Sequence, residues 1–159
     1  MKKIVTSTLI FFLSINISSA KNIKEAYFAG GCFWCMEEFF DKVQGVEDVI
    51  SGYSGGDTEN PTYKEVTYGN TGHFEAVKIV YDKNIISYKE LLNLYWKNID
   101  PFDDAGQFCD KGLSYRSVVF YKTKNEKDEI KNSISNIEKK FNEKKSSYIY
   151  KKIRKILSC

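Results

Sequence analysis

Two cysteines three residues apart, Cys32 and Cys35, follow a glycine pair in the run Phe28-Ala29-Gly30-Gly31-Cys32-Phe33-Trp34-Cys35-Met36-Glu37-Glu38. An apolar, strand-like stretch from Ala26 to Ala29 meets glycines that let the backbone turn sharply, and a helical pattern opens at the first cysteine. Cys32 is therefore expected near a helix N-terminus. There, unpaired backbone N–H groups and the positive end of the helix dipole stabilise a thiolate and draw a thiol pKa below its free value of about 8.5. Phe33 and Trp34 place an apolar aromatic wall beside the sulfur, suited to a small apolar group such as a methyl. A buried cysteine among core aromatics is the plainer reading, but the glycine pair and the second cysteine favour a reactive thiol. A second chemical group stands in His73 to Tyr81, where Glu75, Val77, Ile79 and Tyr81 share one face of a strand. A carboxyl on a buried face resists ionisation and would donate a proton near neutral pH. The same pattern also allows a near-surface glutamate, and both readings stand on this feature alone.

The elements that must position these groups follow from periodicity. Cys32 to about Val43 reads as a helix with Phe33, Met36, Phe39 and Phe40 on its apolar face, ended by Gly45. Val46 to Tyr53 reads as a strand and Ser54-Gly55-Gly56-Asp57 as a turn. Asn60-Pro61-Thr62-Tyr63 opens a short helical turn to Tyr68, with proline at the first helical position. Ser87 and Glu90 form a capping box for a helix whose stripe is Tyr88, Leu91, Leu92, Tyr95 and Ile99. Phe102 to Leu113 is a polar loop, Ser117 to Tyr121 a strand, and Asn125 to about Lys144 an amphipathic helix. With 159 residues the chain suits one domain.

Met1-Lys2-Lys3, the apolar stretch Ile4 to Ile17 and Ser18-Ser19-Ala20 have the form of a secretory signal peptide cleaved after Ala20, too short for a convincing membrane span. Export, to a bacterial periplasm, is expected, leaving residues 21–159 as one domain. Without Lys2 and Lys3 the 24 basic residues become 22 against 21 acidic ones, so the net charge falls from +3 to +1 and does not argue for nucleic acid. The end of the chain, with Lys144, Lys145, Lys151, Lys152, Arg154 and Lys155 and no acid, reads as a solvated basic tail. Four cysteines are few for a disulfide scaffold of this length, and one histidine with no second C-x-x-C argues against structural zinc.

Several motifs in order carry a resemblance. Gly31-Cys32-Phe33-Trp34, Gly52-Tyr53-Ser54-Gly55-Gly56, Asn60-Pro61-Thr62-Tyr63, Thr71-Gly72-His73-Phe74-Glu75-Ala76-Val77, and Gly106-Gln107-Phe108-Cys109-Asp110-Lys111-Gly112 leading to Tyr115-Arg116-Ser117 resemble the A-type peptide methionine sulfoxide reductases, from about Tyr27 to Tyr121. The resemblance implies an α+β fold, a two-layer sandwich of a small mixed sheet with packed helices. It implies that Cys32 attacks the sulfur of methionine S-sulfoxide while the methyl rests on Phe33 and Trp34. Glu75 would be the acid, Tyr63 and Tyr115 would orient the S–O group, and Asp110 would hold the polar network of the pocket. Cys32 would be left as sulfenic acid and condense with a second thiol. Cys35 is favoured for that part on proximity, then Cys159, then Cys109. A thioredoxin-like dithiol would restore the pair, with no metal, nucleotide or flavin, and the protein is expected to act as a monomer. The family's Ala-Glu and His-Gln-Tyr segment is missing after Tyr121, where a truncated or altered end stands instead. Two alternatives remain: a thioredoxin-like disulfide oxidoreductase built on the C-x-x-C, and a degraded paralogue that folds without turning over.

Overall fold

The computed structural model describes residues 20–142, 149–153 and 155–158; of the sequence expectations, residues 1–19 of the leader and Lys144, Lys145, Arg154 and Cys159 lie outside the described residues. Strand β1 (Ile23–Ala29) runs into helix α1 (Phe33–Asp41), followed by β2 (Val46–Ser54), α2 (Tyr63–Tyr68), β3 (Phe74–Asp82) and α3 (Tyr88–Lys97). Next come the short strands β4 (Gly106–Gln107) and β5 (Asp110–Lys111), a 3-10 turn (Leu113–Tyr115), β6 (Val118–Tyr121) and α4 (Lys124–Lys140). Strands β7 (Ile149–Lys152) and β8 (Leu157–Ser158) complete the order.

Six strands form one mixed sheet in the order β7-β6-β1-β3-β2-β8, with β7 parallel to β6 and the other pairs antiparallel. This is the α+β arrangement the motifs implied. Strand β3 sits inside the sheet and is buried or half-buried along its whole length, mostly by apolar residues on both faces. Its Val77, Ile79 and Tyr81 pack with Phe28 beneath Phe33, Met36 and Phe40 of α1 and Leu91, Leu92 and Tyr95 of α3. On the opposite face Phe74 and Ala76 join Ala29, Val118 and Phe120, covered by Ile149, Ile153 and Ile156.

Three helices begin with complete capping boxes, Thr62/Glu65, Ser87/Glu90 and Thr123/Glu126, each satisfying two backbone N–H groups. Helix α1 does not: its N-cap is Cys32, which makes no side-chain capping bond. The exception marks the place where helix N–H groups are left for another partner.

Three sequence expectations are corrected. Pro61 lies before the cap of α2 rather than at its first helical position, because Thr62 has the side chain that can bond Glu65 N–H. The polar loop holds a two-residue hairpin, Gly106↔Lys111 and Gln107↔Asp110. Its tip places Phe108 at φ 47°, where glycine is the expected residue, so composition gave no turn signal. The basic tail is not simply solvated: Ile149–Lys152 pairs with β6 and Leu157–Ser158 with β2, because Ile149, Ile153, Ile156 and Leu157 turn inward while Tyr150, Lys152 and Lys155 are exposed.

Candidate active site

The turn that presents Cys32 is built by close packing. Tyr95 donates a buried hydrogen bond to the Ala29 carbonyl at 2.8 Å, pinning the end of β1. Gly31 then takes φ +85°, and a Cβ there would lie 2.8 Å from the Gln107 Cβ. Gln107, fully buried, cannot retreat: its Oε1 accepts from Asp100 N–H at 2.7 Å and its Nε2 donates to the Asp100 carbonyl at 2.9 Å. Gly31→Ala is therefore expected to cost about 1–3 kcal/mol of stability through strain and displacement, measured by urea unfolding. Gln107 is a positioning residue that sequence reading passed over as part of a loop, although its long polar side chain between Gly106 and Phe108 was the available signal.

Cys32 is half-buried and its carbonyl accepts from Cys35 N–H at 3.1 Å and Met36 N–H at 3.3 Å, so the cysteine heads the first turn of α1. The next backbone N–H, of Phe33, donates to Oε2 of Glu75 at 3.1 Å. Glu75 is 1% exposed, and its Oε1 is buried without a hydrogen-bond partner. Burial pushes its pKa to about 7; the Phe33 N–H opposes the shift and the field of Asp110 adds to it. The near-surface reading of Glu75 is thereby corrected: β3 register sets it opposite Tyr53 on the core face.

Aromatic rings line one side. Buried Phe33 lies 5.2 Å from Trp34, 5.7 Å from Tyr53 and 6.3 Å from Tyr63, and Trp34 stacks on Tyr63 at 5.9 Å. Trp34 is 58% exposed and Tyr63 43% exposed, which is costly for rings with no outside contact and typical of a surface meant for a ligand. Tyr115, carried on the 3-10 turn, hydrogen-bonds Tyr63 and Thr67. Burial first, then the Tyr63 bond and the Glu75 field, push its hydroxyl far up, so it remains a neutral donor. Thr67 was not singled out from the sequence; nothing in its spacing signals this contact.

On the other side of Cys32 a hollow of about 390 Å³ is lined by Cys32, Cys35, Cys109 and Asp110 together with Phe108 and Met36. Cys35 shares a side-chain hydrogen bond with Cys32, and burial followed by the adjoining sulfur pushes its thiol up. All three thiols are free, and Cys35 and Cys109 are exposed. The structure thus brings together Cys32, Cys35, Cys109, Glu75 and Asp110, with Phe33, Trp34, Tyr63 and Tyr115 around the same turn. Among the described residues no group of three or more histidine, cysteine or acidic side chains has the placement to hold a metal ion. The arrangement can attack an electrophile at Cys32 and deliver a proton from Glu75 to an atom beside it.

A model of the family described as peptide methionine sulfoxide reductase matches residues 24–156. A protein described as peptide methionine sulfoxide reductase MsrA from Listeria monocytogenes serotype 4b (strain CLIP80459) is 53% identical over 108 residues, covering 68% of this chain and 61% of the relative. The matched part therefore spans about three fifths of that relative's length. Among solved structures, Mxr1 from Saccharomyces cerevisiae in reduced form superposes with a TM-score of 0.78 at 27% identity, covering 87% of this chain and 80% of that one. The structure of Mxr1 in complex with Trx2 superposes with a TM-score of 0.60 at 16% identity, over 92% and 88% of the two chains, a likeness of fold alone. None of these similarities supports the thioredoxin-like oxidoreductase alternative.

Proposed function

The chain belongs to the peptide methionine sulfoxide reductase family, and from that premise we propose that it reduces methionine S-sulfoxide, in oxidised polypeptides and as the free amino acid, with electrons from thiols. The observation that carries the reading is Glu75: a buried carboxyl with a pKa of about 7, one oxygen held by Phe33 N–H and the other unpartnered, beside the residue that heads α1.

In this reading the Cys32 thiolate attacks the sulfoxide sulfur while the methyl lies against Trp34 and Phe33. Glu75, protonated at the unpartnered oxygen, gives its proton to the sulfoxide oxygen, and the hydroxyls of Tyr115 and Tyr63 donate hydrogen bonds to the same atom. The S–O bond breaks and the protonated oxygen leaves as hydroxide while Cys32 is joined to the substrate sulfur; hydroxide then adds to the Cys32 sulfur, the S–S bond breaks with its electron pair going to the substrate sulfur, and methionine is released with Cys32 as sulfenic acid. Asp110 helps keep the Glu75 proton in place, since its negative field opposes a second carboxylate nearby. Cys35, already hydrogen-bonded to Cys32, then condenses with the sulfenic acid, expelling water and forming a disulfide. A thioredoxin-like dithiol reduces that disulfide. Sulfur carries all the electrons, so the cycle needs no metal, nucleotide or flavin.

The same reading includes a leader removed after Ala20, residues 21–159 acting as a monomeric reductase domain, and work in a bacterial periplasm. Lys2-Lys3, the apolar stretch that follows and Ser18-Ser19-Ala20 support export. The test is stoichiometry. Without reductant each chain should form one equivalent of methionine from the sulfoxide, with continuing turnover once dithiothreitol is added, and Cys32→Ser should form none. Methionine formation by Cys32→Ser at the parent's rate would remove the proposed mechanism.

A further inference from the structure

A second hollow, of about 440 Å³, lies between the α2–β3 connection and the 3-10 turn, and the reaction proposed above does not use it. Arg116 and Lys151 line it, and no lining residue is an aspartate or glutamate. Neither cation has an ion-pair partner among the described residues; Lys151 instead stands 4.8 Å over the Phe74 ring. Ser114, 3% exposed, also lines the hollow; its buried Oγ and the buried Arg116 Nε have no hydrogen-bond partner. Buried donors are nearly always satisfied, so two orphaned donors and two cations without an ion-pair partner around one hollow of about 440 Å³ describe a missing acceptor with negative charge.

The hollow shares a wall with the reaction site. Tyr115 lies between Ser114 and Arg116 in the chain, and its hydroxyl bonds Thr67, which lines the hollow. An anion seated there is thus one tyrosine away from the proton-delivery atoms. Free phosphate or sulfate has the right charge, but the adjoining reaction site is open to a polypeptide, whose side chains reach both places together.

We propose that Arg116, Lys151 and Ser114 form a subsite for a carboxylate carried by the substrate polypeptide near its methionine sulfoxide, so that the enzyme prefers acidic sequence contexts. This rests on the reductase reading, and the test separates the two.

Peptides that differ only in Asp, Asn or Lys on either side of methionine sulfoxide are compared by kcat/KM at low salt. Labelled versions with unoxidised methionine report binding by fluorescence anisotropy without any chemistry. A roughly tenfold preference for Asp over Lys is expected in both readouts on at least one side, the scale of one charge-assisted hydrogen bond, and it should shrink with added sodium chloride. In Arg116→Gln the ratio should fall to near one, in Lys151→Gln to an intermediate value, and in Arg116→Lys it should partly return, each in protein of parental circular dichroism. Turnover of all peptides with equal kcat/KM overturns the subsite while leaving the reductase reading intact. An Asp preference in binding with no turnover supports the subsite and sinks the reductase reading. Competition by sulfate against Asp and Lys peptides alike, with no Asp preference, means a free inorganic anion occupies the hollow and overturns the proposal.

Discussion

Glu75→Gln is expected to lower the rate of single-turnover sulfoxide reduction by about 10²- to 10⁴-fold near pH 6, the usual worth of a positioned general acid. Glutamine keeps an acceptor for Phe33 N–H and nearly the same volume, but it has no proton to give. In the parent the same rate should fall above pH about 7, as the buried carboxyl ionises. Stability falls over the same range. The folded pKa of about 7 exceeds the ordinary carboxyl value of 4.5, so the folded state binds this proton more tightly than the unfolded chain. The stabilisation from that difference is complete below about pH 4.5 and is lost as pH rises through 7, amounting to about 3 kcal/mol by pH 8. The Tm of Glu75→Gln relative to the parent should therefore climb by several degrees between pH 4.5 and 8. A difference that stays flat with pH, or an unchanged rate near pH 6, would contradict the assignment.

Cys35→Ser has the second large effect. The first turnover needs only Cys32 and Glu75, so the burst of one methionine per chain should persist in this variant. Steady turnover with a protein dithiol should drop to background, because the sulfenic acid has no partner with which to form the disulfide that the dithiol reduces. Turnover with dithiothreitol should survive, since a small thiol reaches Cys32 through the 390 Å³ hollow. The parent's resolving step should quicken with pH, because burial holds the Cys35 thiol up and only its thiolate attacks. Full protein-driven turnover in Cys35→Ser would move the resolving role to another thiol. Cys109 on the same hollow would be the first to replace by serine.

The legible parts of the sequence were those where one pattern meets one demand. Gly30-Gly31 before Cys32 signalled a sharp turn because no other residue takes φ +85° at that packing distance. The two-residue alternation from Glu75 to Tyr81 put Glu75 on the core face, while its buried environment came only from the register with Tyr53 and the lid of α1. Other features depended on contacts distant in the chain. Phe108 occupies a turn position against local preference because Gln107 is anchored to Asp100 and the hairpin has to follow. The strand at Ile149–Lys152 was masked by its lysines: an edge strand tolerates charge on its outer face, and Lys151 is retained over Phe74. The orphaned Ser114 and Arg116 donors have no sequence signature, since satisfaction is a property of neighbours.

The most direct test of the central claim is epimer-resolved turnover. The protein is incubated with a peptide carrying both epimers of methionine sulfoxide and with dithiothreitol, beside Cys32→Ser, and each epimer is followed by chromatography. Loss of the S epimer alone, absent in Cys32→Ser, is the predicted result. Persistence of both epimers with protein shown to be folded by circular dichroism, or equal loss of both, would contradict it.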